Sequence, residues 1–325
     1  MHPYTRPYTR PSTRHSTLVA PPPWRNIDFI SDLHLQASEP LTFEAWQRYM
    51  AHTRADAVFI LGDLFEVWVG DDAAFGGAAG DDMADGDMAD GDMAGDGATG
   101  NVLRAGGFES QCGAVLRHTA ARIPVFFMHG NRDFLVGATF MAQCQCTLLD
   151  DPTVLDFGGQ RWLLSHGDAL CLADTDYLKF RAGVRSAAWQ QDFLAKPLAE
   201  RRAVARDLRV RSEAKKQSAA TYADVDADAA LTWLREAGAG HMIHGHTHKP
   251  ADHVLGPGLQ RIVLSDWDMA AQPPRAEVLR LSRHGTDTNT GTDHDAFAEP
   301  HAAAAAMPPS ATPGVQISRI APDSA

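Results

Sequence analysis

Five short runs of apolar, β-favouring residues recur along the chain, and a cluster of polar side chains follows each run directly. The runs lie at 27–30, 57–61, 125–128, 162–164 and 241–243. Because buried strands read as short continuous apolar runs, each one predicts a strand inside a sheet. A further run at 261–267 predicts a sixth strand.

Helix-like segments lie between these runs, for example from Leu41 to Ala51 and from Cys112 to Ala121. Strands that alternate with helices predict the α/β fold class. Residues 175–236 interrupt this alternation because they are rich in Ala, Arg and Leu with spaced apolar positions. We call residues 175–236 the insertion, and we predict that it forms two or more helices and serves as a lid.

Three low-complexity stretches flank or interrupt the patterned part. Residues 1–23 and 284–325 are poor in patterned apolar positions, so we predict a disordered arm and a disordered tail around one domain at 24–283. Residues 73–100, the acidic repeat, contain copies of Met-Ala-Asp-Gly-Asp. They lack the fixed twelve-residue spacing of a calcium loop, so a flexible loop is the favoured interpretation.

The net charge of −12 comes largely from one place. Seven aspartates fall between Asp81 and Asp96, so the rest of the chain is only mildly acidic and a local basic patch could meet an anionic partner. No apolar stretch approaches the roughly 20 residues of a membrane-spanning helix, and no secretory signal opens the chain. We therefore expect a cytoplasmic protein.

The polar clusters after the five runs contain side chains that bind metal ions. Asp32 and His34, like His246 and His248, stand two residues apart, a spacing that lets both side chains of a pair reach one ion. Together the clusters supply seven oxygen or nitrogen donors and no thiolate: Asp32, His34, Asp63, Asn131, His166, His246 and His248.

Seven donors exceed what one closed structural ion needs. They suit two ions that share a carboxylate and keep open positions for water or substrate. Two such ions stabilise the charge that develops on a phosphoryl group, so the pattern predicts hydrolysis of a phosphoester or phosphoanhydride.

In their order along the chain, these clusters resemble the five blocks of the calcineurin-like metallophosphoesterase superfamily. More narrowly, four segments resemble the UDP-2,3-diacylglucosamine diphosphatases of lipid A biosynthesis, with a match over roughly 27–268. These segments are 31–35, 62–68, 129–134 and 244–250.

The resemblance implies a metallophosphoesterase-type β-sandwich flanked by helices, with an inserted helical lid and two Mn²⁺ ions. By motif, Asp63 would bridge the ions. The resemblance places Asp32, His34 and His248 with Asp63 on one ion, and it places Asn131, His166 and His246 with Asp63 on the other.

The resemblance also assigns the substrate contacts. Asp63, Asn131 and Arg132 would be catalytic, and the guanidinium of Arg132 suits a diphosphate. The substrate-binding positions would be Asn131, Arg132, Asp174, Ser212, Lys216 and His246. Ala219 departs from the family, where a Lys is usual, so the contacts near Ser212 are the least defined.

The implied reaction is attack of water at the α-phosphorus of UDP-2,3-diacylglucosamine, which releases UMP and 2,3-diacylglucosamine 1-phosphate. Four apolar residues of the insertion are available for acyl chains, with ordinary helix packing as the alternative: Trp189, Phe193, Leu194 and Leu198. Seven basic residues are available for the anionic cytoplasmic face of the inner membrane, with a solvated helix face as the alternative: Arg201, Arg202, Arg206, Arg209, Arg211, Lys215 and Lys216. We expect no nucleic-acid partner and no obligate protein partner.

Two other interpretations stay open at this point. One is a metallophosphoesterase with a different substrate, such as a nucleotide phosphodiesterase or a phosphoprotein phosphatase, against which Arg132 and the insertion argue. The other is a scaffold that has kept the fold without activity, and the presence of all seven donors argues against it.

Overall fold

The computed structural model describes residues 15–75, 107–218, 224–283 and 314–325, with side chains up to residue 210 in the second range. Its strands are β1 (Ser16–Val19), β2 (Asn26–Ile30), β3 (Ala57–Leu61), β4 (Val125–Met128), β5 (Thr147–Leu149), β6 (Thr153–Phe157), β7 (Gln160–Ser165), β8 (His241–His244), β9 (Ala251–Gly256), β10 (Leu259–Val263), β11 (Val278–Arg283) and β12 (Val315–Ile320). Its α-helices are α1 (Pro40–His52), α2 (Asp72–Phe75), α3 (Phe108–Ala120), α4 (Ala138–Cys144), α5 (Thr175–Val184), α6 (Ala187–Leu194), α7 (Leu198–Ser218) and α8 (Ala227–Ala237).

The strands form two six-stranded sheets. The first has the order β12-β11-β2-β3-β4-β5, and β2 to β5 run parallel. The second has the order β1-β6-β7-β8-β10-β9, and β7, β8 and β10 run parallel. Because parallel neighbours end at the same edge of a sheet, the loops after β2, β3 and β4 lie side by side, as do those after β7 and β8.

The two sheets pack face to face. Phe29, Phe59 and Phe126 point inward from the first sheet, where their rings stack with centroids 5.1 and 4.6 Å apart. Trp162 and Ile243 point inward from the second sheet into the same buried cluster. Side chains alternate between the two faces of a strand, so the residues next to these point outward to the helices.

Helices cover both outer faces. On the first sheet, Ile60 and Phe127 pack against α1, α3 and α4. On the second sheet, Met242 packs against α8, which buries Ala230 and Leu234 at a helical spacing of four. The molecule is therefore a β-sandwich flanked by helices, which confirms the expected fold class.

The five predicted strands correspond to β2, β3, β4, β7 and β8, and the two predicted helices correspond to α1 and α3. The sixth strand was predicted too late in the chain. It is β10, which ends at Val263, whereas residues 264–267 leave the sheet and run towards the polar loops.

Two expectations of disorder were wrong in part. Ser16–Val19, expected in the disordered arm, is strand β1 and pairs with β6. Val315–Ile320, expected in the disordered tail, is strand β12 and pairs with β11 over six residues. Both strands are edge strands whose few apolar residues, such as Leu18 and Ile317, pack against the sandwich core. Composition does not reveal short edge strands of this kind, because Pro, Thr and Ala dominate the segments that contain them.

The insertion divides into two parts. Helices α5, α6 and α7, which we call the lid helices, stand beside the polar loops, where Arg185 contacts Gly130 and Arg209 contacts Glu66. Helix α8 does not belong to the lid, because it covers the second sheet. Its apolar stripe at residues 230, 234 and 237 is what places it there.

Other predicted features lie outside the described residues. They are the first 14 residues, the acidic repeat beyond Phe75, and residues 284–313. Within the described ranges, no helix is long and apolar enough to cross a bilayer.

A buried carboxylate ties the first sheet to its covering helix. Asp28 in β2 is fully buried and accepts hydrogen bonds from Tyr49 (3.0 Å) and Thr53 (2.9 Å). Arg280 in β11 binds it with both Nε (2.7 Å) and Nη2 (2.8 Å).

Replacement of Asp28 by Ala should lower the free energy of unfolding by about 3–5 kcal/mol, because it leaves the partly buried Arg280 guanidinium and the buried hydroxyls of Tyr49 and Thr53 without their partner. Urea unfolding followed by circular dichroism measures this. The matched control is Asp176→Ala, which breaks an exposed ion pair with Lys179 and should cost at most about 1 kcal/mol. Equal losses in the two variants would contradict the role of Asp28.

Candidate active site

All seven predicted metal ligands meet where the strand ends of the two sheets come together. The loop after β2 reaches the loop after β8, because His34 Nε2 and His248 Nε2 lie 3.2 Å apart. The loop after β4 reaches the loop after β7, because Asn131 Oδ1 and His166 Nε2 lie 3.0 Å apart. Residues from sequence positions more than 200 apart thus form one site.

The backbone at this site is locally strained. Five of the seven residues have left-handed φ values between 49° and 66°: Asp32, His34, Asp63, His246 and His248. Non-glycine residues rarely adopt this conformation, and it costs of order 1–3 kcal/mol each. Hydrogen bonds hold two of these residues in place, from Asp32 N to Gly62 O (3.1 Å) and from His34 N to Asp63 O (3.0 Å).

Two glycines make the close approach of the loops possible. A Cβ atom on Gly130 would lie 2.0 Å from Asp63 Oδ1, and one on Gly245 would lie 1.9 Å from Ser31 Oγ. No side chain fits at either position, so these glycines allow two loops to meet at the carboxylates.

The first group of donors is Asp32, His34 and His248, whose ligand atoms all lie within 4.8 Å of one another. His248 Nε2 is 3.3 Å from Asp32 Oδ1, and His34 Nε2 is 4.0 Å from the same oxygen. Asp32 Oδ1 is buried and has no hydrogen-bond partner among the described residues. A buried carboxylate oxygen that faces two imidazole nitrogens is a ready ligand position for a cation.

The second group surrounds Asn131. Its Oδ1 lies 2.8 Å from His246 Nδ1 and 3.0 Å from His166 Nε2. Asp63 stands between the two groups, since its Oδ2 lies 3.7 Å from His166 Nε2 and 4.0 Å from His34 Nε2. That intermediate position suits a bridging carboxylate.

The electrostatics of the site also favour a cation. Burial alone would lower the pKa of His166, yet nearby Asp63, Asp32 and Asp168 outweigh it and raise that pKa to about 9. Burial lowers the pKa of His246 to about 3, which keeps that imidazole neutral and able to bind a metal ion. The donor set of carboxylates, an amide oxygen and imidazoles therefore fits divalent metal ions.

Residues behind the ligands fix their orientation. His166 Nδ1 donates to Leu61 O (2.9 Å), which directs Nε2 into the site. Asp133 is fully buried and accepts from the backbone N–H groups of Gly130 (2.8 Å) and Leu64 (2.8 Å), so it ties the loop after β4 to the loop after β3. Burial and then the charge of Asp63 raise the pKa of Asp133 to about 7.

Some of the predicted substrate-binding residues lie at the site, and the side chains of others lie outside the described residues. Arg132 lies beside the ligands, and its backbone N–H donates to Asp63 Oδ1 (2.8 Å). Asp174 accepts from Tyr177 N (3.1 Å) and so caps α5, and its side chain also lines the cavity next to Asn131. The side chains of Ser212 and Lys216 lie outside the described residues, although the backbone of α7 continues through both positions.

The group that anchors α5 was not predicted from the sequence. Asp168 is fully buried, accepts from Arg181 Nε (2.8 Å) and from the hydroxyl of Tyr177, and lies 3.7 Å from Arg185 Nη2. The charges of Arg181 and Arg185 outweigh burial and hold the pKa of Asp168 well below its usual range. A spacing of four places Tyr177, Arg181 and Arg185 on one helix face, a pattern that could have identified this group.

Two members of this group, Tyr177 and Arg185, also contact the metal-ligand region. The ring of Tyr177 stacks on that of His246 with centroids 6.2 Å apart, and Arg185 Nη2 donates to Gly130 O (2.8 Å). The first lid helix is therefore fixed directly to the loops that carry the site.

A cavity of about 330 Å³ lies between the site and the lid helices. Asn131 and Arg132 form its polar end. Its other walls are largely apolar and include Val67, Trp68, Phe134, Leu135, Phe180, Trp189, Phe193 and Leu208. A polar, charged end that opens into an apolar chamber suits an amphiphilic molecule.

Comparison with known proteins agrees with this geometry. Residues 25–250 match the family model described as calcineurin-like phosphoesterase. A protein of Chromobacterium violaceum named UDP-2,3-diacylglucosamine hydrolase is 42% identical over 250 residues, which cover 74% of this chain and 90% of the relative.

Two further relatives carry the same name. The protein of Aromatoleum aromaticum is 41% identical over 74% of this chain and 88% of its own length. The protein of Cellvibrio japonicus is 39% identical over 74% of this chain and 91% of its own length. With donor loops at the strand ends of a β-sandwich, and with matches that span most of these relatives, the chain belongs to the calcineurin-like phosphoesterase family and, within it, to the group of UDP-2,3-diacylglucosamine hydrolases.

Proposed function

We propose that the protein hydrolyses the diphosphate of UDP-2,3-diacylglucosamine by attack of water at the α-phosphorus, with UMP and 2,3-diacylglucosamine 1-phosphate as products. One observation carries this proposal: the complete set of seven donors opens, through Arg132, into an apolar cavity under the lid helices. The names of the relatives support the same substrate.

The proposed cofactor is a pair of Mn²⁺ ions. Asp32, His34 and His248 would hold one ion and Asn131, His166 and His246 the other, with Asp63 shared between them. When bound, such a pair lowers the pKa of water and stabilises negative charge on phosphoryl oxygens.

Residues of the chain orient the metal ligands and the phosphate for this reaction. The backbone N–H of Arg132 holds Asp63 Oδ1, so Oδ2 stays directed at His34 and His166. The guanidinium of Arg132 lies at the polar end of the cavity, where it can bind a phosphate with two parallel hydrogen bonds. Asn131, fixed between two imidazoles, sets the place of the phosphate beside them.

The apolar cavity is the proposed place of the acyl chains. Trp189 and Phe193 line it, and their rings stack with centroids 4.8 Å apart. Leu194, which is 42% exposed, and Leu198 are not among the residues that line the cavity. Of the four predicted acyl contacts, only the two aromatic residues are therefore retained in the proposal.

The proposed location is the anionic cytoplasmic face of the inner membrane. Arg202 and Arg206 are exposed on α7 and can face anionic lipid. Two of the seven basic residues predicted for this face have other partners, since Arg201 is buried in an ion pair with Asp72 and Arg209 pairs with Glu66. The side chains of Arg211, Lys215 and Lys216 lie outside the described part of α7.

Asp63→Asn tests the shared carboxylate. The variant should lose more than about a hundredfold in kcat, beyond the 10–100-fold typical for a residue that only orients a ligand. Release of UMP from UDP-2,3-diacylglucosamine in saturating Mn²⁺ measures this, and chelation should abolish the activity of the parent. Asp150→Asn, at an exposed aspartate, is the control. Activity of Asp63→Asn within about tenfold of the parent would refute the two-metal assignment.

Trp189→Ser tests the acyl cavity. Loss of an aromatic wall should remove about 1.5–3 kcal/mol of binding to the chains, or at least about tenfold in kcat/KM for the lipid substrate. Hydrolysis of bis(4-nitrophenyl) phosphate, which has no chains, should stay within about twofold. Leu194→Ser on the same helix is the matched control and should change neither rate. A loss of similar size on both substrates would show that Trp189 acts in packing alone.

The double variant Arg202→Gln, Arg206→Gln tests the membrane surface. Each exposed basic residue contributes about 1 kcal/mol near an anionic bilayer, so binding to phosphatidylglycerol vesicles should fall about tenfold or more. Co-sedimentation with these vesicles, and with phosphatidylcholine vesicles as the neutral reference, measures this. Unchanged co-sedimentation would show that α7 does not face the membrane.

A further inference from the structure

Glu66 lies behind the metal-ligand region and has no part in the proposed chemistry. It follows Asp63 by three residues in the loop after β3, and its backbone N–H donates to Leu35 O (3.1 Å) in the loop after β2. Leu35 and Phe65 form a β-bridge at the same point. These contacts fix the position of the Glu66 side chain, which is 9% exposed.

Three cationic or titratable groups contact this one carboxylate. Glu66 Oε2 lies 3.1 Å from His34 Nδ1, and Oε1 lies 3.3 Å from Arg132 Nη1. Arg209, from lid helix α7, contacts Oε1 as well. A buried carboxylate is stable only when it is paired, and here its partners come from the metal-ligand loops and from the lid at once.

The contact with His34 sets the direction of that imidazole. Because Nδ1 faces Glu66, Nε2 is directed towards Asp32 and His248. A carboxylate behind a metal-binding histidine fixes the ring and strengthens it as a ligand.

The contact with Arg209 sets the position of α7. Arg209 and Glu66 both border the cavity beside Asn131. Both also border a second cavity of about 340 Å³ on the other side of α7. The ion pair of Glu66 and Arg209 therefore lies between the two cavities, and it joins α7 to the loop after β3.

We infer that Glu66 is a positioning residue that couples the lid to the metal site, acting through His34 on one side and through Arg209 on the other. One carboxylate then orients a metal ligand and holds α7 in place. This inference holds for any phosphoester that the protein hydrolyses, so it goes beyond the proposed substrate.

Glu66→Gln tests both halves, because it keeps the shape of the side chain and removes its charge. The apparent affinity for Mn²⁺, measured by calorimetric titration of the metal-free protein, should fall about tenfold to a hundredfold. Hydrogen exchange of the α7 backbone at 202–210 should become at least about fivefold faster, because the helix loses a half-buried ion pair.

Arg209→Met separates the two halves. It removes the contact between Arg209 and Glu66 and leaves the contact between Glu66 and His34 in place. Hydrogen exchange in α7 should therefore rise as in Glu66→Gln, while Mn²⁺ affinity stays within about twofold of the parent. Its side chain is 32% exposed, so the substitution leaves the buried core intact. Glu200→Gln in α7, which breaks an exposed pair with Lys196 in the connection before the helix, is the matched control and should change neither measurement.

Parent-like Mn²⁺ affinity in Glu66→Gln would overturn the inference, and so would parent-like exchange in α7 in either variant. A large loss of Mn²⁺ affinity in Arg209→Met would also overturn it, because the lid contact would then not be separable from the metal site. Neither measurement uses a substrate, so failure of the proposed reaction and failure of this inference are distinguishable.

Discussion

The site depends on bringing several acidic and imidazole side chains within about 4 Å of each other at the joint of two sheets. The two sheets pack roughly 10 Å apart, so their loops must cross this gap before Asp63 of the first sheet can reach His166 of the second. The distance is closed by the left-handed turns at five donor positions and by the absence of a side chain at Gly130 and Gly245. The buried carboxylate of Asp133 then holds the two central loops together through backbone N–H groups.

Ion pairs and apolar packing both attach the lid helices to this body. Arg201 binds Asp72, Arg209 binds Glu66, and Arg181 binds Asp168. Phe193 is buried in the apolar cluster on the outer face of the first sheet, and Trp189, Leu198, Val204 and Ala205 pack against it. Trp189, Phe193 and Ala205 also line the cavity, so the same apolar residues attach the helices and form the cavity wall.

The sequence predicted the strands and donors that depend on local pattern. An apolar run followed by Asp-x-His or Gly-Asp specifies a buried strand and the residues at its end, and all seven predicted donors meet as expected from that rule. The edge strands β1 and β12 were missed because their pairing depends on partners far away in the chain. Helix α8 was assigned to the lid because its apolar stripe does not reveal which surface it covers.

The residues behind the donors were not identified from the sequence. Glu66 and Asp168 look like ordinary loop carboxylates, and their roles come from Arg209 and Arg181, which lie 143 and 13 residues further along the chain. Asp133 is a similar case, since its partners are backbone N–H groups brought close only by the fold. The contacts of Glu66 and Asp133 leave no periodic trace in the sequence. The group around Asp168 differs, because the spacing of four at Tyr177, Arg181 and Arg185 could have pointed to it.

The left-handed backbone of the donors also restricts how this chain can evolve. At Asp32, Asp63 or His246, replacement by a β-branched residue removes the donor and also places a side chain that the backbone conformation does not tolerate. Glycine and asparagine are the residues that relieve that conformation at least cost. A descendant that lost the chemistry and kept the fold would therefore drift to glycine or asparagine at these positions, and such residues would record a former active site.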